Sequence, residues 1–323
     1  MIDDPVLLHD WHAVLPIREL DEKGVVGARL LGEDIVIWRA GDQVLAWQDL
    51  CLHRGTRLSL GEVQHGEQLM CPYHGWTYNA EGQCVYMPAH PEQTPSPRAR
   101  VRQYHACVHF EFVWVCLGEP QLPLPPFPEW EDSSFRRILC GPYHFRAAGP
   151  RMVENFLDVA HFPFVHENIL GVRERADIAD YDVTTDEAGI RARDILIYQP
   201  NPDGSGEAKV VNYTYEVYRP LVAYFRKETL GPRFAILLMV TPQDPLSSLM
   251  WMWMVMNHSY DTPEEELRAF QDEIALQDLP IVESQRPEML PLDLQSELHL
   301  RSDRTAIAYR RWLNELGLRY GTS

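Results

Sequence analysis

No stretch of this 323-residue chain approaches the about 18 uncharged apolar residues that a membrane-spanning helix requires. The start, Met1–Val14, has neither the basic residues nor the apolar run of a secretory leader. Both absences lead to the expectation of a cytoplasmic protein with no membrane partner. Positive charge is scarce as well: 29 Lys and Arg stand against 47 Asp and Glu, a formal net charge of −18. Phosphate backbones are bound through surfaces rich in Lys and Arg, so nucleic acid is excluded as a partner, although small substrates are not. Wholesale disorder is excluded too, because 45% hydrophobic and 24% charged residues are ordinary for a globular chain, and the length suits two domains. Cysteine is sparse. Cys51, Cys71, Cys84, Cys107, Cys116 and Cys140 would pair arithmetically as three disulfides, but a reducing cytoplasm disfavours that and directs attention to metal.

From Trp11 to Trp47 the text reads as short strands cut by Gly-Glu-Asp and Ala-Gly-Asp-Gln turns, an antiparallel β module. It runs into Cys51-Leu52-His53-Arg54-Gly55, and later comes Cys71-Pro72-Tyr73-His74-Gly75-Trp76. Each loop supplies one cysteine and one histidine. Tetrahedral zinc is one reading of such a set. The alternative is a [2Fe–2S] cluster with both thiolates on one iron and both imidazoles on the other, which the pairing by loop among strands favours. Val101–Leu117 returns to alternating strand, with His105 and His109 as surface or packing histidines, and the other four cysteines read as small buried hydrophobes. Five prolines between positions 120 and 128 form a stiff linker, which divides residues 1–125 from residues 126–323.

Beyond the linker, Met152–His166 (MVENFLDVAHFPFVH) carries the densest chemistry. Side chains on a helix advance about 100° per residue, so Asp158 and His161 share a face. His166 would point about 140° away on an unbroken helix, so the chain must bend, and Pro163 disfavours helical geometry at Phe162. Two histidines and a carboxylate are the donors of mononuclear non-haem iron. Strands follow over Asp182–Tyr198, Val210–Tyr218 and Phe234–Thr241, with a hairpin turn at Asn201–Gly206. Leu249–Asn257 alternates Trp and Met, which suits a strand buried on both faces or one whose face floors a substrate cavity. A helix starts at Asp261-Thr262-Pro263, with a stripe of Leu267, Phe270, Ile274 and Ile281 in which Asp278 stands. A carboxylate on such a stripe is costly to bury unless a cation meets it, so Asp278 is the third ligand candidate, with Pro280 kinking the helix towards the histidines, while Asp272 and Glu273 read as solvated charges. Ser302–Leu316 reads as an amphipathic helix ended by Gly317.

The loops CLHRG and CPYHGW, followed by NFLDVAHFPFVH and QDLPIVESQRP, resemble a Rieske non-haem iron oxygenase, terminal component, over nearly the whole chain. Within it the chain looks like the vanillate O-demethylase group, and HFPFVH and SDRTAIAYRRWLNELGLRYG look like its paralytic-shellfish-toxin hydroxylases. The resemblance implies an α+β chain, an all-β Rieske domain before a helix-grip domain. It implies that Cys51, His53, Cys71 and His74 hold one [2Fe–2S] cluster and that His161, His166 and Asp278 hold one Fe(II). Asn155 would lie beside that iron, and Asp158 would link His161 to a cluster histidine of an adjacent protomer in a homotrimer. Electrons would come from NAD(P)H through a separate reductase with flavin and iron–sulfur centres. The expected activity uses O₂ to hydroxylate a small aromatic or cyclic substrate, or to demethylate it with loss of formaldehyde; an electron carrier or binding protein without oxygenase activity is the alternative. Thr56 and Tyr73 replace the extra cysteines of respiratory Rieske proteins, and Trp76 replaces a serine that hydrogen-bonds the cluster. Such bonds raise the potential, so the low end of the Rieske range, about −150 mV, is expected.

Overall fold

In the computed structural model, which describes residues 4–228 and 231–323, the chain divides within the proline-rich run, into Met1–Leu124 and Pro125–Ser323. Met1–Asp3, part of the start read for a secretory leader, lie outside the described residues.

The first unit opens with α1 (Pro5–Leu8), whose N-cap Asp4 accepts from the N–H of Val6 and Leu7. Then come β1 (His12–Pro16), α2 (Ile17–Lys23), β2 (Val25–Leu30), β3 (Glu33–Ala40) and β4 (Gln43–Gln48). After the first Cys/His loop lie β5 (Glu62–Gln64), β6 (Gln68–Met70), β7 (Thr77–Asn79) and β8 (Cys84–Tyr86), and β9 (Gln103–His109) and β10 (Phe112–Cys116) close the unit. Two antiparallel sheets result, in the orders β1-β10-β9-β4-β3-β2 and β5-β6-β7-β8. The second sheet is a small meander that holds the two Cys/His loops at one end. A strand-only reading of this region misses α2, in which Ile17 and Leu20 sit one turn apart and Gly24 ends the helix at φ 74°. Val101–Leu117 is a hairpin rather than one strand, turning at Phe110 and Glu111.

The second unit comprises β11 (Arg136–Phe145), α3 (Gly149–Leu157), α4 (Phe162–Val165), β12 (Asp182–Asp186), β13 (Gly189–Gln199), β14 (Lys209–Arg219), β15 (Val222–Glu228), β16 (Arg233–Asp244), β17 (Ser247–Met256), α5 (Glu264–Ser284) and α6 (Arg304–Leu316). Its seven strands form one antiparallel sheet, β11-β17-β16-β15-β14-β13-β12. Helices α3, α5 and α6 pack against that sheet and on one another, the helix-grip arrangement of an α+β chain. Their contact is fixed by a buried ionic group. Arg310 on α6 donates to both carboxylate oxygens of Glu154 on α3, at 2.5 and 2.8 Å. Arg151 on α3 donates to Glu154 at 3.4 Å and to Glu297 at 2.9 Å. Gly317 ends α6 in the left-handed region, φ 77°.

The buried stripe of α5 differs from the sequence expectation. Gln271, Ile274, Ala275 and Val282 are buried, whereas Phe270 and Ile281 are about half exposed. Asp278 stands seven residues after Gln271, two turns on, and so faces inward with it. Pro280 lies inside α5, which continues to Ser284. Pro263 stands at the N-cap of α5 and makes no side-chain capping bond. Asp272 is not simply solvated either, since it accepts from the Tyr143 hydroxyl at 2.5 Å.

Candidate metal centres and the cavity beside them

The two Cys/His loops are wired alike. Cys51 N–H donates to Thr56 O and Gly55 N–H donates back to Cys51 O, at 2.8 and 2.9 Å; Cys71 N–H donates to Trp76 O and Gly75 N–H to Cys71 O, at 2.8 and 3.1 Å. Each return turn needs left-handed backbone, supplied by Gly55 at φ 73° and Gly75 at φ 69°. Cys51 and Cys71 are 2% and 1% exposed, and the ring centres of His53 and His74 lie 4.5 Å apart. Trp76 stacks on His53 at 4.6 Å, and the Tyr78 hydroxyl lies 3.3 Å from Cys51 Sγ.

Two features suit an iron–sulfur cluster. His53 Nδ1 is buried with no hydrogen-bond partner, an uncompensated donor or acceptor that a metal would satisfy. Burial pushes the Cys71 thiol above its ordinary value, so a thiolate there needs positive charge against it.

The second centre lies where α3 ends. Asp158 is not on the helix with His161: it caps α3 in an extended conformation, ψ 131°, and the break falls there rather than at Phe162. Pro163 opens the short α4 instead, a position where its missing N–H costs nothing. His161 and His166 cap the two ends of that single turn, which brings their Nε2 atoms to 3.2 Å despite five residues between them. Asp278 Oδ1 lies 3.4 Å from His161 Nε2 and 3.2 Å from His166 Nε2. Among the described residues this trio groups three metal-ligating atoms within 4.8 Å of one another.

The surrounding groups orient all three. His161 Nδ1 meets Asp158 Oδ2 at 3.1 Å, and His166 Nδ1 meets Gln277 Oε1 at 2.7 Å. Asn155 donates to Asp278 Oδ1 at 3.4 Å. Burial pushes the Asp158 carboxyl up, but the His161 hydrogen bond and charge, with the N–H groups of Ala160 and His161, bring it below its ordinary value. Gln277 escaped sequence reading, although its place beside Asp278 was a usable signal.

The trio lines a cavity of about 450 Å³, a volume suited to a small organic molecule. Sheet register builds its floor. Tyr215, Phe225, Ile236 and Met254 form one row across β14 to β17, and Tyr213, Lys227, Phe234 and Met256 form the next. Both alternatives for Leu249–Asn257 therefore hold: β17 is buried on both faces, and its Met face lines the cavity.

Two domain profiles match the chain: the Rieske [2Fe-2S] domain over residues 10–105 and the vanillate O-demethylase oxygenase C-terminal domain over residues 145–319. Methylxanthine N1-demethylase NdmA of Pseudomonas putida is 29% identical over 96% of this chain and 89% of its own length. A probable methylxanthine N7-demethylase, NdmC of Pseudomonas sp. (strain TJI-51), is 36% identical over 66% of this chain and 78% of its own. The solved structure of Pseudomonas putida CBB5 NdmA with caffeine superposes with a TM-score of 0.84 at 27% identity, over 96% of this chain and 91% of that one.

Proposed function

The chain belongs to the Rieske non-haem iron oxygenases, as a terminal component with a vanillate O-demethylase-type second half, and on that premise we propose that it oxidatively demethylates a small, planar, N- or O-methylated aromatic molecule. One observation carries this reading: the His161–His166–Asp278 trio lines a cavity floored by aromatic and Met side chains. Overall, the methyl compound, O₂, two electrons and two protons give the demethylated compound, formaldehyde and water. Hydroxylation shares the same oxygen chemistry and differs only in whether the new hydroxyl sits on a carbon that can leave.

Cys51, His53, Cys71 and His74 would hold the [2Fe–2S] cluster, and His161, His166 and Asp278 the Fe(II). When bound, these supply O₂ activation with electrons from a separate NAD(P)H-dependent reductase. The polypeptide does the rest. Asp158 and Gln277 hold the Nδ1 protons of His161 and His166, which leaves both Nε2 lone pairs directed at one point. Asn155 steadies Asp278. The apolar floor presses the substrate's flat face down and excludes water, so that a methyl group is presented to the trio.

Asp158, whose Oδ2 meets His161 and whose Oδ1 accepts the Ala160 N–H at 2.8 Å, would use a remaining lone pair to reach a cluster histidine of the next protomer in a closed homotrimer. Dependence on NAD(P)H from a separate reductase supports a cytoplasmic location. The test is iron content together with formaldehyde release, with a reductase and a panel of methylxanthines and methoxyarenes. Three irons per chain and stoichiometric formaldehyde are expected, and Asp278→Ala should retain two irons and the Rieske spectrum but release none. Two irons in the wild type would mean an electron carrier.

A further inference from the structure

The cavity floor contains one residue that apolar packing does not explain. Along β15, Ala223, Phe225 and Lys227 point to the same side, and Lys227 stands between Tyr213 and Phe234 in the row described above. It is the one Lys or Arg among the described cavity-lining residues, against the acids Asp203, Glu266 and Asp278. Its ammonium donates to Pro202 O at 3.0 Å and approaches Gln199 Oε1 at 3.5 Å, and it lies 4.9 Å from the centre of the Phe234 ring. Two of its three N–H groups are thus turned to neutral oxygens. The nearest acid, Asp203, is bound by Lys209 at 2.6 Å. Lys227 is partly buried, and although the Asp203 charge reaches it, that carboxylate is paired with Lys209, so the ammonium has no acid in hydrogen-bond contact among the described residues, a costly arrangement for a cation drawn out of water.

We propose that Lys227 is the specificity-determining residue of this cavity, receiving a carboxylate or other anionic oxygen of an aromatic substrate and so fixing which end of the molecule faces the metal trio. This rests on the oxygenase reading and deepens it. With substrate bound, the anion supplies the missing counter-charge, and the aromatic body lies over Phe225, Phe234 and the Met face of β17. A neutral molecule of the same shape would leave the ammonium uncompensated.

Burial pushes the Lys227 amine down to about 8, so it is charged at pH 7 and discharges as pH rises through that value. The titratable groups that face it are Asp203, held well down by Lys209 and Ser205; Tyr213, held up by burial; and His258, lowered by burial and by the Lys227 charge. None of these titrates near 8, so a loss of anion binding there belongs to Lys227.

The experiment is calorimetric binding to the iron-loaded holoenzyme, with benzoate, 4-methoxybenzoate and indole-3-carboxylate, each beside its neutral carboxamide. At pH 7 at least one carboxylate should bind tenfold or more tightly than its amide, and that preference should fade above pH 8. Lys227→Met should erase the preference by weakening carboxylate binding, with the Rieske spectrum unchanged; Lys227→Arg should keep it. If no carboxylate outbinds its amide, or if Lys227→Met keeps the preference, Lys227 only anchors the Asn201–Gly206 turn and the proposal is wrong. Binding is read without turnover, so this result stands apart from whether formaldehyde is released.

Discussion

Gln277 and Asp278 are neighbours on α5, yet they address opposite nitrogens of one ring: Gln277 Oε1 lies 2.7 Å from His166 Nδ1, and Asp278 Oδ1 lies 3.2 Å from its Nε2. A neutral imidazole carries a single ring proton. An amide oxygen against Nδ1 holds that proton there and leaves Nε2 as a lone pair. The helix thus supplies one ligand and sets the tautomer of another.

Gln277→Leu keeps the volume and removes the acceptor. Loss of such a partner costs about 10- to 100-fold in metal affinity. Chelator competition should show the mononuclear iron leaving that much more readily, with the Rieske absorption unchanged. Equal retention would mean that His166 is oriented by packing alone.

Asp158→Asn tests the proposed link between the centres. The variant loses the charge and one acceptor oxygen while Asn155, His161 and Asp278 stay in place. In a single turnover of the reduced, iron-replete enzyme with O₂ and an established substrate, the cluster should stay reduced while iron content remains three per chain. Reoxidation at the wild-type rate would show that electrons take another route.

Tyr78→Phe removes the hydroxyl 3.3 Å from Cys51 Sγ. Hydrogen bonds to cluster sulfur favour the reduced, more negative state. If the bond is worth about 1 kcal/mol more in that state, the midpoint falls by about 40 mV. Voltammetry reads this directly. Trp76 had suggested a cluster without such a hydroxyl, but the structure places one two residues further on.

Arg310→Ala would strand Glu154 beside Arg151 in a buried site. Breaking a buried pair on one side costs about 3–5 kcal/mol, so the melting temperature should fall by several degrees. Glu154→Gln combined with Arg310→Met should recover much of it. A double variant that melts as low as the single one would assign the loss to packing of the long Arg side chain.

The parts of the site that share a short segment were readable without a structure. CLHRG and CPYHGW, and the pair His161 and His166, are local, so residue type and spacing are enough to single them out as candidates. Long-range facts were less accessible. The histidines were expected to meet through a bend at Phe162, whereas the chain breaks at Asp158, because capping at a helix end is decided by what α3 packs against. The stripe on α5 was assigned through Phe270 and Ile281, which are exposed, while Gln271 and Ala275 face inward. Lys227 was invisible as a site residue because its direction depends on strand register, and α2 because its seven residues are too short for a periodic pattern to stand out.

The matched wiring of the Cys51 and Cys71 loops bears on how the protein is made. In each loop the cysteine's N–H and C=O are both bonded within the loop itself, across a glycine turn. These backbone bonds restrain the path of each loop whatever its side chains carry, so a cluster assembled there would draw on two thiols and two imidazoles that paired glycine turns direct to one end of the meander.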